Sequence, residues 1–317
     1  MGFTGTVSRM GLTILAVVIL LITGCNQPAQ RPDASDKKLK EEPVISLYMH
    51  ETGETKEIGI EEYLAGVVAA EMDPEWPDEA LAAQAILART FTMKKIEEGG
   101  VKARGTDAST NIEEFQAYDE TRINDKVRQA VQRTRGEVVT YQGKYINGWF
   151  HADSGGKTAS SAAEGLEFRQ EPTPYITSVE DPGHEITVPE NKAWTATFTV
   201  GEVQQAVAQA TGSDPGPVTG IKVLKRGPSG RATSIQVNDK TLSAAALRLA
   251  LGSEKLRSTL IEEPQLIQGQ VVFKGKGYGH GVGMSQWGAR ALAEQGKKAE
   301  EIVTYFFRDV KIETRWE

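Results

Sequence analysis

One acidic residue has surroundings suited to acid–base chemistry. Glu71 follows an apolar stretch, residues 67–70 (VVAA), and precedes Met72, Pro74 and Trp76. A carboxyl group held against apolar neighbours loses hydration, which favours its neutral form and raises its pKa. A general acid that works near neutral pH needs such a raised pKa. The sequence therefore suggests Glu71 as a general acid, with an exposed glutamate in the last turn of a helix as the alternative.

Polar side chains also occur in four other segments, next to small or glycine residues. The second predicted helix carries Gln84 and Arg89 among Ala and Leu, where a purely structural helix would not need polar groups. Residues 111–118 (NIEEFQAY) supply an amide and a phenol, and residues 150–156 (FHADSGG) and 278–288 (YGHGVGMSQWG) are glycine-rich. Glycine allows the backbone to approach a ligand closely. Ligand-binding loops and ordinary tight turns are both consistent with these segments.

Nucleotide and nucleic-acid binding are both disfavoured by the sequence. Residues 154–158 (SGGKT) contain Gly-Lys-Thr, but the leading glycine of a phosphate-binding loop would fall at His151. Residues 275–283 have glycine at every second position, so no three of them fit the dinucleotide-binding spacing. The formal net charge is −7, whereas a nucleic-acid binder normally shows a basic face.

The N-terminal segment predicts export from the cytoplasm. Residues 1–24 contain one base, Arg9, before an apolar run at 12–22 that fits a secretory signal. The run ends at Ile-Thr-Gly-Cys25, which resembles a bacterial lipobox, and Cys25 is the only cysteine of the chain. We therefore expect a lipid-anchored protein on the extracytoplasmic face of the cytoplasmic membrane, with residues 25–43 as a solvated tether. A short membrane anchor with an incidental Cys25 is the alternative.

The chain that positions these residues alternates helices and strands without a regular repeat, which predicts an α+β fold. Residues 60–72 and 77–98 are typical of helices, separated at Asp73-Pro74 because the residue before proline leaves the helical region. Residues 137–141 and 144–150 predict a hairpin. Gly-Pro-rich turns suggest that a smaller α/β lobe, about residues 184–262, is inserted in a main domain of residues 44–317. Further strands are predicted at 44–48, 193–200, 221–225, 233–237 and 268–273, and further helices at 242–251, 287–294 and 299–307.

Six segments, in this order, resemble the SpoIID/LytB family: EYLAGVVAAEM, ALAAQAILARTF, FQAY, FHADSGGKT, PYITSVEDP and GYGHGVGMSQWGARALAEQG. The resemblance covers about residues 44–317 and is closer to the sporulation members than to the longer amidase enhancers. It implies a lytic transglycosylase that acts on peptidoglycan glycan strands stripped of their peptides, together with a SpoIIP-type amidase, during engulfment of the forespore. It also implies that Glu71 is the catalytic glutamate.

A lytic transglycosylase needs only one carboxyl group. The acid protonates the glycosidic oxygen between N-acetylmuramic acid and N-acetylglucosamine, and its conjugate base takes the proton of the muramic C6 hydroxyl as that oxygen closes onto C1. Hydrolysing glycosidases use two carboxyl groups, and Asp153 stays open as a second one. Arg89 is a hypothetical partner of the lactyl carboxylate, because its bidentate fork suits that group. The hypothetical groove-lining residues for sugar hydroxyls and acetamides are Gln84, Gln116, Tyr118, His151, Ser154, His280, Ser285 and Gln286.

Aromatic and metal-binding roles have weaker support in the sequence. Tyr278 and Trp287 are suited to stacking on sugar faces and equally to core packing. The resemblance implies that some family members hold zinc in a cysteine–histidine site near the FHADSGG segment. This chain has no cysteine there, and His151 with His280 alone does not make a closed tetrahedral site. We therefore expect no metal and no other cofactor.

Two other functions fit parts of the sequence. One is a non-catalytic enhancer that grips glycan and activates an N-acetylmuramoyl-L-alanine amidase, with Glu71 as a binding residue. The other is a solute-binding lipoprotein, which would explain the lipobox and the tether. That class would normally show two similar α/β lobes, and no such repeat occurs in the sequence.

Overall fold

A computed structural model describes residues 39–317 and shows the mixed α+β fold that the sequence predicts. The signal segment, Cys25 and the tether up to residue 38 lie outside the described residues. The helices are α1 (Ile60–Glu71), α2 (Asp78–Glu97), α3 (Asp125–Arg133), α4 (Ala162–Leu166), α5 (Gly183–Ile186), α6 (Pro189–Lys192), α7 (Val200–Thr211), α8 (Ala244–Ala250), α9 (Gln286–Glu294) and α10 (Ala299–Phe306). The strands are β1 (Val44–Tyr48), β2 (Thr55–Gly59), β3 (Ala108–Ser109), β4 (Glu137–Tyr141), β5 (Lys144–Tyr145), β6 (Phe150–His151), β7 (Trp194–Thr199), β8 (Ile221–Arg226), β9 (Ala232–Val237), β10 (Lys240–Ser243), β11 (Gln265–Ile267), β12 (Gln270–Gly275), β13 (Met284–Ser285) and β14 (Lys311–Thr314).

The first hydrophobic core is built around helix α2. This helix contacts α1, α3, α9, α10 and β4, so it is surrounded by protein on most of its length. Its buried positions include Ala80, Ala82, Ala83, Ala85 and Ala88, whose small side chains let the neighbouring helices approach closely. The predicted break between α1 and α2 is confirmed, because Met72 is already extended at φ −127°.

Three small sheets surround this core. Strands β2, β1 and β3 form one sheet, and β14, β4 and β5 form another. The predicted hairpin exists, but its second strand ends at Tyr145, earlier than expected. The following residues leave the hairpin, and β6 pairs in parallel with β13 instead. Because β6 belongs to the FHADSGG segment and β13 to the glycine-rich segment near residue 280, this pairing joins two of the polar segments.

A second hydrophobic core is formed by residues between Trp194 and Phe273. It lies between helices α7 and α8 and two three-stranded sheets, in the orders β10-β9-β8 and β11-β12-β7. The second core extends past residue 262 because β12 pairs with β7 from Gln270 to Gly275.

Buried polar contacts attach the second core to the first part of the molecule. The Arg231 guanidinium donates hydrogen bonds to the Ser154 carbonyl at 2.6 Å and to the Lys157 carbonyl at 2.9 Å. The Ser229 hydroxyl donates one to the Glu164 carboxylate at 2.7 Å. Burial lowers the pKa of Arg231 to about 10, which leaves it charged at neutral pH. Within residues 39–317, no helix combines the length and apolarity needed to cross a bilayer.

Candidate active site

Glu71 lines a cleft with a volume of about 530 Å³. The side chain stands at the C-terminal end of α1, where the chain turns away toward Pro74. The other residues of the cleft come from α2, the segment around residue 115, β6 and the two sides of β13. They are Ala70, Phe91, Ile112, Phe115, Gln116, Ala117, Trp149, Phe150, His151, Ala152, Tyr278, Gly279, His280 and Gln286.

Two N–H donors hold the Glu71 carboxyl group. The backbone N–H of Ala117 donates to Oε1 at 3.1 Å, and the side-chain amide of Gln286 donates to Oε2 at 3.2 Å. Gln286 is the first residue of α9, whose N-cap is Ser285. The carboxyl group is therefore held in one orientation by two segments that are distant from it in the sequence.

The environment of Glu71 favours its neutral form. Burial raises the pKa of the carboxyl group, and the Ala117 and Gln286 donors, which stabilise the ionised form, only partly offset this effect. Among the described residues that line the cleft, none is Lys or Arg, and Glu71 is the only carboxylic acid. The group is thus suited to release a proton and then to remain stable as a carboxylate.

Two histidines line the same cleft and remain neutral at physiological pH. The rings of His151 and His280 are 5.5 Å apart between centroids. Burial, with the nearby charges of Arg248 and Arg231, lowers the pKa of His280 to about 3. Burial, His280 and Arg231 likewise hold the pKa of His151 well below its ordinary value. Neither histidine therefore supplies a positive charge to a bound ligand.

Gln116 forms part of the cleft wall and is fixed by buried partners. Its Nε2 donates to the Thr92 hydroxyl at 3.0 Å and approaches the Tyr63 hydroxyl at 3.4 Å. The neighbouring Ala117 provides the backbone donor to Glu71. This backbone group leaves no signal in the sequence, because any residue type except proline supplies an N–H.

Arg89 does not have the predicted role. Its side chain is fully buried in α2 and forms an ion pair with Glu61, with Nε donating to Oε1 at 3.1 Å. It also donates to the carbonyls of Glu137 and Val131. A guanidinium held in this way is a structural group of the core, and it cannot reach a lactyl carboxylate in the cleft.

Four other predicted groove residues lie away from the cleft. Gln84 is fully buried in α2, and its amide has no hydrogen-bond partner among the described residues. The Ser154 hydroxyl donates to Asp181 at 2.6 Å, and the Ser285 hydroxyl accepts the Gly288 N–H as the N-cap of α9. The Tyr118 ring stacks on Tyr63 with an interplanar angle of 8°. The structure brings together Glu71, Gln116, His151, His280 and Gln286.

Asp153 does not supply a second carboxyl group to the cleft. It is buried, and its Oδ2 lies 3.0 Å from Nδ1 of His184. Burial raises the pKa of Asp153, with the His184 contact acting in the opposite direction. The residue is not part of the cleft lining. The possibility of a two-carboxylate hydrolase with Asp153 is therefore not supported by the geometry.

The two predicted stacking aromatics have different positions. Tyr278 lines the cleft, and the Arg257 guanidinium lies over its ring at 4.1 Å from the centroid. Trp287 lies outside the cleft and packs against Trp76, with 4.8 Å between ring centroids. The apolar wall of the cleft is instead formed by Phe91, Phe115 and Trp149, which the sequence analysis did not identify. Within residues 39–317, no group of three or more His, Cys, Asp or Glu residues is placed to hold a metal ion.

Comparison with known proteins adds independent information. The family description "Stage II sporulation protein" (SpoIID) matches residues 48–141, and a domain family of unknown function (DUF8618) matches residues 188–283. Stage II sporulation protein D of Bacillus amyloliquefaciens is 33% identical over 293 residues, covering 88% of this chain and 81% of that protein. Stage II sporulation protein D of Bacillus subtilis is 31% identical over 343 residues, covering 98% and 95%.

A more distant match is found with a longer protein. The amidase enhancer of Bacillus subtilis is 28% identical over 290 residues, which cover 77% of this chain and 39% of that protein. The matches to the two sporulation proteins, by contrast, extend over most of both chains. The protein therefore belongs to the SpoIID family of stage II sporulation proteins.

Proposed function

We propose that the protein is a lytic transglycosylase that cleaves peptide-free peptidoglycan strands between N-acetylmuramic acid and N-acetylglucosamine. The observation that carries the proposal is the single carboxyl group of the cleft. Glu71 is partly buried, has a raised pKa and has no second acid among the described residues of the cleft. Glycosidases that activate water use a pair of carboxyl groups about 5 to 10 Å apart. One acid suffices when the substrate provides its own nucleophile.

The proposed reaction uses Glu71 twice. The neutral carboxyl group donates its proton to the glycosidic oxygen as the bond from that oxygen to C1 of the muramic residue breaks. The resulting carboxylate is stabilised by the Ala117 N–H and the Gln286 amide. It then removes the proton of the C6 hydroxyl while the C6 oxygen bonds to C1. The products are a 1,6-anhydro end and a free 4-hydroxyl, no water is consumed, and Glu71 is again protonated.

The composition of the cleft supports a saccharide ligand. Apart from Glu71, its walls combine aromatic side chains with neutral hydrogen-bonding groups, including Gln116, His151 and Gln286. Sugar rings present apolar faces and hydroxyl edges, so they match such a mixture of groups. Because the described cleft residues include no cation, we expect the lactyl carboxylate to point out of the cleft rather than into it.

The remaining parts of the proposal rest on the N-terminal signal with its lipobox-like end and, for the amidase partner, on the family resemblance. They are the lipid anchor at Cys25, the extracytoplasmic location and a SpoIIP-type amidase as the partner that strips peptides from the strand. Each is a proposal about the whole protein and its cellular setting. Cys25 itself lies outside the described residues.

The products formed from amidase-treated sacculi test the reaction. We expect 1,6-anhydro ends, which mass spectrometry distinguishes from reducing ends because they are lighter by one water. Glu71→Gln should abolish these products while retaining glycan binding. Glu62→Gln is the matched control, since Glu62 lies on the same helix and pairs with Arg128 on the exposed surface. Reducing ends would indicate a hydrolase, and full activity of Glu71→Gln would rule out the assignment of Glu71.

A non-catalytic amidase enhancer is the second candidate, favoured by the similarity to the Bacillus subtilis amidase enhancer. In that case the cleft would bind glycan, and the sacculi would gain no new glycan ends. Added amidase would then be stimulated equally by the wild type and by a Glu71→Gln protein that still binds glycan. The same assay therefore separates the two candidates.

A further inference from the structure

The cleft contains a histidine with one unsatisfied ring nitrogen. His151 is 4% exposed, and its Nδ1 lies 3.2 Å from the Val282 carbonyl oxygen. A carbonyl oxygen only accepts, so Nδ1 must carry the proton of the neutral ring. The other nitrogen, Nε2, is then an acceptor. It is buried and has no partner among the described residues.

The second histidine of the cleft, His280, does not have an unsatisfied acceptor nitrogen. Its Nδ1 accepts the Val282 N–H at 3.0 Å, which places the ring proton on Nε2. Since Nδ1 accepts this bond, the Nε2–H of the neutral His280 ring is a donor, and the ring has no free acceptor. The same backbone residue, Val282, thus fixes the two rings as opposite tautomers, and only His151 has an acceptor to spare.

A second unsatisfied acceptor lines the same cleft. Gln116 is 3% exposed, and its Oε1 is buried without a partner among the described residues. The amide cannot be reversed to remove this need. The Thr92 hydroxyl donates to the Ala88 carbonyl at 2.8 Å, so toward Gln116 it can only accept, and Nε2 must face it. A buried acceptor left unpaired is unfavourable, so both atoms require a donor.

We infer that His151 Nε2 and Gln116 Oε1 are paired acceptors for hydrogen-bond donors of an N-acetylated sugar seated in the cleft. The donor is either the acetamido N–H or a ring hydroxyl, and both occur on one such sugar. The inference rests on the proposed function, since it takes the ligand of the cleft to be a glycan. It also assigns the direction of the hydrogen bonds. His151 and Gln116 accept hydrogen bonds from the sugar, whereas Glu71 donates a proton to it.

The lowered pKa of His151 is consistent with this division of roles. A ring that protonates only well below its ordinary range is a weak base at neutral pH, so it holds a hydroxyl or amide without removing its proton. Proton transfer therefore stays with Glu71. His151 and Gln116 bind and orient the sugar.

Titration of the full-length protein in detergent with the N-acetylglucosamine tetramer tests the inference. The ¹⁵N resonance of His151 Nε2 should move in the direction of a new hydrogen bond, while Nδ1 keeps its resonance. His151→Phe should weaken tetramer binding about 2- to 12-fold, the range for one neutral hydrogen bond. His50→Phe should leave binding unchanged, because His50 is an exposed histidine away from the cleft. The glucose tetramer, which lacks the acetamido group, identifies the donor: a persistent shift indicates a hydroxyl, and its loss indicates the acetamido N–H.

The outcomes separate this inference from the proposed function. A tetramer that binds without moving the Nε2 resonance would mean that a resident water satisfies His151, and it would overturn the inference alone. Absence of tetramer binding to the wild type would overturn both. Since the resonance is measured on the wild type, the test stands even if His151→Phe fails to fold.

Discussion

At the scale of single residues, the environment of Glu71 is set by two opposing effects. Burial in the cleft favours the neutral acid, whereas the Ala117 N–H and the Gln286 amide favour the carboxylate. A group used first as an acid and then as a base needs both states to be accessible. The Ala117 donor belongs to the backbone, but the Gln286 donor can be removed by substitution.

Removing the Gln286 donor should shift the pH dependence of the proposed reaction. The amide stabilises ionised Glu71, so Gln286→Leu should raise the pKa of Glu71 further. Since the reaction starts from protonated Glu71, the decline in activity at high pH should move upward. The maximal rate should fall, because the carboxylate formed after proton donation is less stable.

The control for this prediction is Gln295→Leu, an exposed amide at the C-terminal end of the same helix α9. Its pH profile should match that of the wild type. The measurement is the rate of anhydro-end formation across pH at saturating glycan. A shift of the alkaline limb to lower pH in Gln286→Leu would contradict the assigned direction of the hydrogen bond.

At the scale of elements, the Glu61–Arg89 pair connects distant parts of the chain. Glu61 on α1 accepts from Arg89 on α2, from the Gly136 N–H before β4 and from the Trp316 indole at the C-terminus. The longest-range of these contacts joins Glu61 to Trp316, which are 255 positions apart in the sequence. The pair is buried, so each partner depends on the other to avoid an isolated charge in the core.

Loss of Arg89 should therefore destabilise the fold and leave ligand recognition unaffected. Arg89→Ala should lower the free energy of unfolding by about 3–5 kcal/mol, as expected when one member of a buried ion pair is removed. Arg133→Ala on α3 should cost at most about 1 kcal/mol, because the Arg133 side chain is 45% exposed and its pair with Glu79 lies at the surface rather than in the core. Chemical denaturation measures both. If folded Arg89→Ala bound glycan more weakly without losing stability, Arg89 would instead be a ligand of the lactyl carboxylate.

The case of Arg89 shows what the sequence can and cannot predict. The helices α1 and α2 follow from local signals: an apolar run, the Asp73-Pro74 break and acids in the first turn of α2. The raised pKa of Glu71 is expected from its apolar neighbours in the sequence, whereas the cleft around it is formed mainly by distant segments. The partner of Arg89 cannot be predicted from local signals, because Glu61, Gly136 and Trp316 come together only in the folded chain. The same holds for the contact between Gln286 and Glu71, which are 215 positions apart.

The glycine-rich segment before β13 has a conformation that only glycine adopts easily. Gly279 has φ +114°, and a Cβ atom there would lie 2.7 Å from the Cβ of His151. Gly279→Ala should therefore strain the backbone, at about 1–3 kcal/mol, and displace His151 from the cleft wall. We expect lower stability together with reduced glycan affinity.

Gly53→Ala is the matched control for the Gly279 substitution. Gly53 also has a positive φ, +75°, but within residues 39–317 no atom beyond its two chain neighbours lies within 4 Å of the added Cβ. It should show a backbone cost of about 1–2 kcal/mol with unchanged glycan affinity. Thermal unfolding and tetramer binding measure the two effects. Equal affinities in the two variants would mean that Gly279 does not set the position of His151.

At the scale of the whole molecule, the Glu71 cleft adjoins a second cavity of about 990 Å³. Ile112 and Tyr278 line both cavities, and the far side of the second is formed by the ends of α7 and α8. Ile112 and Leu249, which are 67% and 68% exposed, both line this second cavity. Both parts of the molecule therefore contribute residues to two adjoining cavities, and the buried contacts of Arg231 and Glu164 hold the two parts together.

A glycan strand long enough to occupy both adjoining cavities should bind more tightly than a short strand. A strand that fills the Glu71 cleft alone makes no contact with Leu249, whereas a longer strand covers that apolar side chain. Leu249→Ser should weaken binding of an N-acetylglucosamine octamer roughly fivefold, about 1 kcal/mol for loss of a partly covered leucine, and should not affect binding of a dimer. Leu224→Ser is the control, because Leu224 on β8 is 41% exposed but lines neither cavity. Calorimetric titration with the two oligomers gives the comparison. Equal weakening of octamer and dimer would mean that residue 249 acts through the fold, and no weakening of either would confine the bound strand to the Glu71 cleft.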